Sequence, residues 1–129
     1  MTRAIDAFSA LLGTHCLTDT ESFARYGCDW TKFWRAAPTA VLLPETTEEV
    51  VAITRIANEH KVALVPSGGR TGLSGAAVAS NGEVVVAFDR MNKVVEFDAA
   101  SRSVTVQPGV VTQTLQEFAD SKGLFYPGD

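Results

Sequence analysis

Residues 40–75 read AVLLPETTEEVVAITRIANEHKVALVPSGGRTGLSG, and this stretch decides the fold. It opens on the short apolar run 40–43, which is typical of a buried strand. A Thr-x-x-Glu capping box at 46–49 and apolar residues at helical spacing behind it predict a helix over 47–60. A second apolar run, 62–65, follows at once. Strand, helix and strand in this order predict a parallel βαβ unit.

The regions on either side extend this unit. Upstream, apolar residues at helical spacing end at Gly13 and predict a first helix over 4–12, whereas 14–37 lacks a sustained period and is expected to be irregular. Downstream, a helix is predicted around Leu115, ending at Gly123. Further strands are predicted at 83–88, 94–97 and 103–107. The expected fold class is α/β, with a small parallel βαβ sheet flanked by helices and joined to a more antiparallel sheet.

No linker, internal repeat or low-complexity tract divides the chain. We expect an amino-terminal helix and irregular segment over 1–37 and the first part of the main domain over 38–129. The apolar run 124–126 lies at the very end, where a strand would have nothing to pair with. We therefore expect a truncated piece of a longer protein, with an exposed strand edge that favours self-association.

Composition excludes several classes of function. The net charge is -4 and the 11 Lys and Arg residues are scattered, which argues against a nucleic-acid partner. Cys16 and Cys28 form no CxxC motif and have no His at ligand spacing, so no metal site is predicted and reduced thiols are expected. No apolar run approaches the ~18 residues of a spanning helix. A cytoplasmic protein is expected, with peripheral membrane association left open.

The segment 66–75 carries the chemistry, with four glycines and one Arg in ten positions. Glycines permit positive φ and close approach of a ligand, so successive N–H groups can converge on phosphate oxygens. Hydroxyl groups can add donors, and Arg70 can neutralise charge. The segment lacks the Gly-Lys-Ser/Thr ending of the Walker loop and the downstream acid of the Rossmann fingerprint. A diphosphate ligand is predicted but not identified, and an ordinary glycine-rich surface turn is the alternative.

A family resemblance rests on motifs along most of the chain. They are Val41-Leu42-Leu43-Pro44, Thr47-Glu48-Glu49-Val50, Ala57-Asn58, residues 65–75, Asp89-Arg90-Met91-Asn92 and Val106-Gln107-Pro108-Gly109-Val110. In this order they resemble the FAD-binding domain of the vanillyl-alcohol oxidase and p-cresol methylhydroxylase superfamily, over roughly residues 20–129. The sequence is most similar to FAD-linked D-2-hydroxyacid dehydrogenases, including D-lactate and D-2-hydroxyglutarate dehydrogenases and the glycolate oxidase flavoprotein subunit. Residues 28–32 resemble the D-2-hydroxyglutarate branch in particular.

The resemblance implies a site for FAD. The glycine loop should bind the pyrophosphate, mainly through backbone amides, the Pro-Gly turn should lie near the cofactor, and 126–129 should lead toward the flavin. Members that attach FAD covalently through this loop carry His where Arg70 stands, so a non-covalent cofactor is implied. Asp29 and Asp89 are interpreted as structural or capping residues. The candidate cofactor-binding residues are Ser67, Gly68, Gly69, Arg70, Thr71, Gly72, Leu73, Ser74, Gly75, Pro108 and Gly109.

The activity implied by the resemblance is oxidation of a D-2-hydroxy acid to a 2-oxo acid, with a hydride passed to FAD and electrons then passed to an acceptor. No catalytic residue is named, because the family's catalytic His and metal-ligand region lie downstream of residue 129. Two alternatives stay open. One is a flavin-dependent reductase of cell-wall nucleotide-sugar synthesis on the same cofactor domain, and the other is a nucleotide- or anion-binding module without catalysis.

Overall fold

A computed structural model describes residues 2–128, so the last residue of the 126–129 prediction lies outside the described part. The helices are α1 (Thr2–Leu12), α2 (Thr20–Tyr26), α3 (Thr47–His60) and α4 (Thr112–Ser121), and a 3-10 turn (Gly13–His15) follows α1. The strands are β1 (Cys16–Leu17), β2 (Ala40–Leu42), β3 (Leu64–Ser67), β4 (Val84–Ala87), β5 (Val94–Asp98) and β6 (Ser103–Val106). Within residues 2–128, no helix combines the length and the apolar character that crossing a bilayer requires.

Helix α3 has the bounds that the sequence predicts, because its caps are local. The Thr46 hydroxyl accepts a hydrogen bond from the Glu49 N–H at 3.1 Å. The Glu49 carboxylate reaches back and accepts from the Glu45 N–H at 3.1 Å. At the other end, Lys61 adopts a left-handed conformation with φ 56° and closes the last turn. Side chains and backbone therefore satisfy polar groups at both ends of the helix.

The main sheet has the strand order β1-β2-β4-β3. Strands β2 and β3 are parallel, as predicted, but β4 lies between them and pairs in parallel with both. Strand β1 pairs with β2 in the antiparallel sense. All four residues of β4 are buried. The central position of β4 explains its continuous run of apolar residues, since both of its faces are covered.

Two core clusters cover the two faces of this sheet. The first, formed by α1, α3 and one face of the sheet, contains Ala4, Phe8, Leu12, Ala40, Leu42, Ile53, Ala57, Val84 and Val86. The second, on the other face, contains Tyr26, Val41, Leu43, Ala79, Val85 and Ala87. Alternate residues of β2 and β4 belong to opposite clusters, as the period of a strand requires. Helix α1 is thus an integral flank of the sheet.

A second, antiparallel sheet is formed by β5 and β6, with an irregularity in register between Val94 and Glu96. Helix α4 lies against it, and the rings of Phe97 and Phe118 meet edge to face at a centroid distance of 5.6 Å. The predicted combination of a parallel and a more antiparallel sheet is confirmed.

Three details of the sequence prediction are wrong. The segment 14–37 is not irregular throughout, because it contains β1 and α2. These elements have two and seven residues, which is too short to display a period. Strand β3 begins two residues later than predicted, because the Val62 N–H bonds to the Ala57 carbonyl and closes α3. The run 124–126 is not a strand, and Phe125 is 82% exposed.

Candidate functional site

The glycine loop leaves the main sheet at the carboxyl edge of its parallel strands. Ser67 is the last residue of β3 and is fully buried, and its carbonyl accepts a hydrogen bond from the Phe88 N–H at 3.0 Å. The carboxyl ends of β3 and β4 are thereby held side by side. This edge is where open parallel sheets bind ligands, which agrees with the position predicted for the loop.

The loop uses its glycines differently from the sequence prediction. Only Gly75 and Arg70 have positive φ, at 82° and 59°. A Cβ on Gly72 would meet no heavy atom within 4 Å, and one on Gly69 would meet only the Thr71 hydroxyl at 4.0 Å. These two glycines are therefore required neither by packing nor by a left-handed backbone. Because glycine has no side chain, the backbone at these two positions is accessible to a ligand.

A cleft of about 420 Å³ separates the loop from the start of α4. Gly69 and Thr71 form one wall. The other wall comprises Val110, Val111, Thr112 and Gln113. Val111 is the N-cap of α4 and its side chain makes no capping hydrogen bond, so the first-turn N–H groups of α4 lack the usual partner. A helix N-terminus that faces an open glycine loop attracts anions through the N–H groups and the helix dipole.

The Pro108-Gly109 turn brings this second wall to the loop. The Pro108 carbonyl lies 3.7 Å from the Cβ position of Gly68, so the two segments predicted from the sequence are neighbours. Gly109 itself has a packing role, because a Cβ there would stand 1.9 Å from the Phe88 carbonyl oxygen. Its N–H donates to the Met91 carbonyl at 2.8 Å. The turn thus places the amino-terminal end of α4 at the cleft. Gly109 makes this possible because it allows the turn to pack closely against Phe88.

Sequence reasoning missed Thr112 and Gln113. The Pro-Gly turn and the polar residues that follow it, just before the apolar spacing of α4, are the signal that could have identified them as the first turn of a helix. Their placement against Gly69 depends on a tertiary contact that no local pattern contains.

Arg70 is directed into the protein. Its guanidinium donates two hydrogen bonds to the Asp89 carboxylate, both at 3.1 Å, and a third to the Ser67 hydroxyl at 3.1 Å. It also lies over the Tyr26 ring, 4.9 Å from the centroid. The expected role of Arg70 in neutralising an anion is therefore not supported, since Asp89 already balances its charge. The residues that line the cleft carry no charged side chain.

Asp29 holds the other end of the loop. Asp29 is 4% exposed, and its carboxylate accepts hydrogen bonds from the Thr31 N–H at 3.0 Å, the Thr31 hydroxyl at 2.6 Å and the Gly75 N–H at 3.1 Å. The Thr31 hydroxyl bond, with the backbone bonds, holds the pKa of Asp29 below its ordinary value, against the opposing effect of burial. The structural roles expected for Asp29 and Asp89 agree with these contacts.

The carboxyl half of the loop lines a different cleft. Leu73, Ser74 and Gly75 face Phe33 and Trp34 across a second cavity of about 420 Å³. Leu73 is 70% exposed and Phe33 is 78% exposed. The structure therefore separates the predicted site residues into two groups, and only Gly69 and Thr71 of the loop line the cleft beside α4.

Comparison with known proteins gives three kinds of match. A family model described as "FAD binding domain" matches residues 38–129. D-2-hydroxyglutarate dehydrogenase of Stutzerimonas stutzeri is 61% identical over 113 residues, which are 88% of this chain and 24% of the relative. Glycolate oxidase subunit GlcD of Bacillus subtilis is 40% identical over 104 residues, 81% of this chain and 22% of the relative.

Among solved structures, p-cresol methylhydroxylase with bound substrate aligns with a TM-score of 0.79 and 26% identity. The alignment covers 95% of this chain and 25% of that chain. The chain thus spans about a quarter of the length of the relatives it matches.

Proposed function

The chain belongs to the FAD binding domain family over residues 38–129, and from this premise we propose that the glycine loop 67–75 and the first turn of α4 hold the pyrophosphate of a non-covalently bound FAD. The observation that carries the proposal is the cleft in which the uncapped start of α4 faces Gly69 and Thr71. Pro108 and Gly109 support this cleft by positioning its second wall, whereas Leu73, Ser74 and Gly75 line the separate cleft beside Trp34.

The residues of the cleft fit a diphosphate. Backbone N–H groups, the hydroxyls of Thr71 and Thr112 and the positive end of the α4 dipole are donors for phosphate oxygens. Gly69 lines the cleft without a side chain, and its Cβ position has only the Thr71 hydroxyl within 4.0 Å, so its backbone is open to a phosphate. Arg70 supports the non-covalent mode, because its guanidinium bonds to Asp89 and offers the flavin no nucleophile.

The whole protein, in this proposal, is an FAD-linked oxidoreductase that oxidises a D-2-hydroxy acid, such as D-2-hydroxyglutarate or D-lactate, or the achiral 2-hydroxy acid glycolate. The names of the relatives support this substrate class. FAD would accept the hydride. This chain would bind and orient the cofactor and stabilise the negative charge of its pyrophosphate. We assign no catalytic residue within residues 2–128. An electron acceptor is a further partner of the proposed enzyme.

The proposal also covers the domain organisation and the location. We assign residues 38–129 to the first part of the FAD-binding domain and residues 1–37 to an amino-terminal segment; the start of the family match at residue 38 supports this division. Pairing of β1 with β2 ties the segment firmly to the domain. The free thiols of Cys16 and Cys28 support a reducing compartment such as the cytoplasm.

The test is spectroscopic and uses the flavoprotein that carries this chain. We expect a yellow protein whose flavin is released into the supernatant on acid denaturation. In the native protein, we expect D-2-hydroxyglutarate, D-lactate or glycolate to bleach the flavin under anaerobic conditions. The matched controls are L-lactate and L-2-hydroxyglutarate. A colourless protein would contradict FAD binding, and flavin that stays with the denatured chain would contradict the non-covalent mode.

The same experiment separates the alternatives. Bleaching by a reduced nicotinamide but by none of the hydroxy acids would favour a reductase such as that of cell-wall nucleotide-sugar synthesis. Calorimetry on the 129-residue chain alone tests the non-catalytic module, which requires stoichiometric binding of ADP or FAD. Light scattering on the same sample tests self-association, which we propose because β3 is an edge strand of the main sheet.

A further inference from the structure

The glycine loop is anchored at two points. Arg70, which lies between the cleft residues Gly69 and Thr71, bonds to Ser67 and Asp89. On the carboxyl-terminal side, the Asp29 carboxylate accepts the Gly75 N–H at 3.1 Å, across 46 positions of the chain. The adjacent Trp30 N–H donates to the Gly72 carbonyl at 3.2 Å, which adds a backbone bond between the same two segments.

The contact at Gly75 requires an unusual backbone conformation. Gly75 has φ 82°, a conformation that side chains disfavour, and its N–H is directed at a carboxylate oxygen. Between this point and Arg70 lie residues 71–74, all exposed, and Thr71 is the one among them that lines the cleft beside α4. Asp29 therefore fixes where the exposed part of the loop ends.

A buried carboxylate close to an anion-binding loop is unfavourable unless its oxygens are satisfied. Asp29 meets this condition with three donors, two from Thr31 and one from Gly75. It does not line the cleft beside α4, so it does not compete with a ligand there. Its hydrogen bonds fix the backbone of the loop at Gly75 without contacting the cleft beside α4.

We propose that Asp29 is a positioning residue for the pyrophosphate cradle, and that it keeps the loop in its binding conformation before FAD binds. The inference rests on the proposed function, since it concerns the same ligand. Asp29 touches no reacting group. Its contribution is preorganisation, because a loop that is already ordered does not have to be ordered by the ligand.

The expected size follows from the cost of ordering. Fixing the backbone of one residue reduces a binding constant by about tenfold when the ligand must order that residue itself. Replacing Asp29 with Ala frees Gly75 and, through it, part of the exposed loop. We expect Asp29→Ala to raise the Kd for FAD by about ten- to thirtyfold.

The experiment measures FAD affinity of the deflavinated flavoprotein by fluorescence titration, with urea unfolding of each apo form beside it. Asp29→Asn is the conservative variant: its amide oxygen can still accept the Gly75 N–H, so we expect a Kd raised by about three- to fivefold. Thr31→Val is the matched control, because it removes the hydroxyl that donates to Asp29 and accepts from the Phe33 N–H and leaves the bond to Gly75 in place. Its Kd should stay within about twofold of wild type.

Ile53→Val is the control for general destabilisation, since Ile53 is buried in the first core cluster. It should weaken the fold and leave the Kd within about twofold. The inference is overturned if Asp29→Ala binds FAD as wild type does, or if affinity follows unfolding stability across all variants, Ile53→Val included. If Asp29→Ala fails to fold, the test rests on Asp29→Asn. A Kd for FAD above that of Thr31→Val supports the inference, and an equal or lower Kd overturns it. A wild-type protein that binds no FAD would instead overturn the proposed function.

Discussion

The substitution Gly69→Ala isolates the role of the loop in ligand binding. In the free protein the new methyl group meets only the Thr71 hydroxyl at 4.0 Å, and the φ of Gly69 lies outside the left-handed region. No clash or backbone strain therefore opposes the change. Replacing Gly by Ala at such a position commonly stabilises a protein by about 0.4–1 kcal/mol, because the unfolded chain loses freedom. We expect unchanged or slightly higher stability.

The same methyl group should weaken FAD binding. A phosphate oxygen that accepts a backbone N–H lies about 2.9 Å from the nitrogen, whereas a methyl carbon needs about 3.5–4 Å to its neighbours. The phosphate must withdraw from the loop, and one charge-assisted hydrogen bond is lost. Such a bond contributes about 1.5–3 kcal/mol, which corresponds to a Kd raised about ten- to 150-fold.

The assay is a fluorescence titration of the deflavinated protein with FAD, together with urea unfolding of the apo form. Gly13→Ala is the matched control, because Gly13 has φ 58°, has no heavy atom within 4 Å of its Cβ position and lies in the turn after α1. It should cost about 1 kcal/mol of stability and leave the Kd unchanged. A folded Gly69→Ala protein that binds FAD within twofold of wild type would refute the assignment of this cleft to the pyrophosphate.

Three further predictions concern stability. Gly109→Ala should lower the free energy of unfolding by at least about 1–3 kcal/mol, measured in urea, because its methyl overlaps a carbonyl oxygen; wild-type stability would contradict the packing role. Arg70→Gln and Asp89→Asn should be non-additive in a double-mutant cycle by about 1 kcal/mol, and additive effects would contradict the observed pair. Asp29 and Asp98 have lowered pKa values, chiefly through side-chain hydrogen bonds, so their contribution is complete above about pH 4 and is lost as the pH falls through the folded values. A urea midpoint that stays constant as the pH is lowered below about pH 4 would contradict this.

Local signals account for what the sequence predicts well. The bounds of α3 are correct because the capping residues and the apolar spacing lie within the helix itself. Helix α2 has only seven residues, so no sustained apolar period follows its Asp19 cap to indicate a helix. Strand β1 exists because Cys16 and Leu17 lie opposite β2, which is a tertiary fact that two residues cannot encode.

The candidate site divides in the same way. Composition and the position after β3 identify the glycine loop, and the family resemblance adds the Pro108-Gly109 turn. The wall 110–113 and the Asp29 contact were not predicted, because each depends on segments that are distant in sequence and adjacent in space. An isolated cation in a glycine loop suggests an anionic ligand, and this is why the sequence alone favours Arg70 as a ligand contact. Asp89, which satisfies that cation, could be paired with it only in the folded chain.

Glycine occurs in this site for three different physical reasons, which cannot be distinguished in the sequence. Gly75 is needed for a left-handed backbone, Gly109 for the close approach of a carbonyl, and neither fact depends on a ligand. Gly69 and Gly72 meet neither requirement, although Arg70 between them adopts positive φ with a full side chain. Where the fold itself makes no demand for glycine, the remaining reason for an uncovered backbone is something outside the chain that must come close to it. Of these two, Gly69 lines the cleft beside α4, so in the proposed function it is the glycine whose substitution tests cofactor binding most directly.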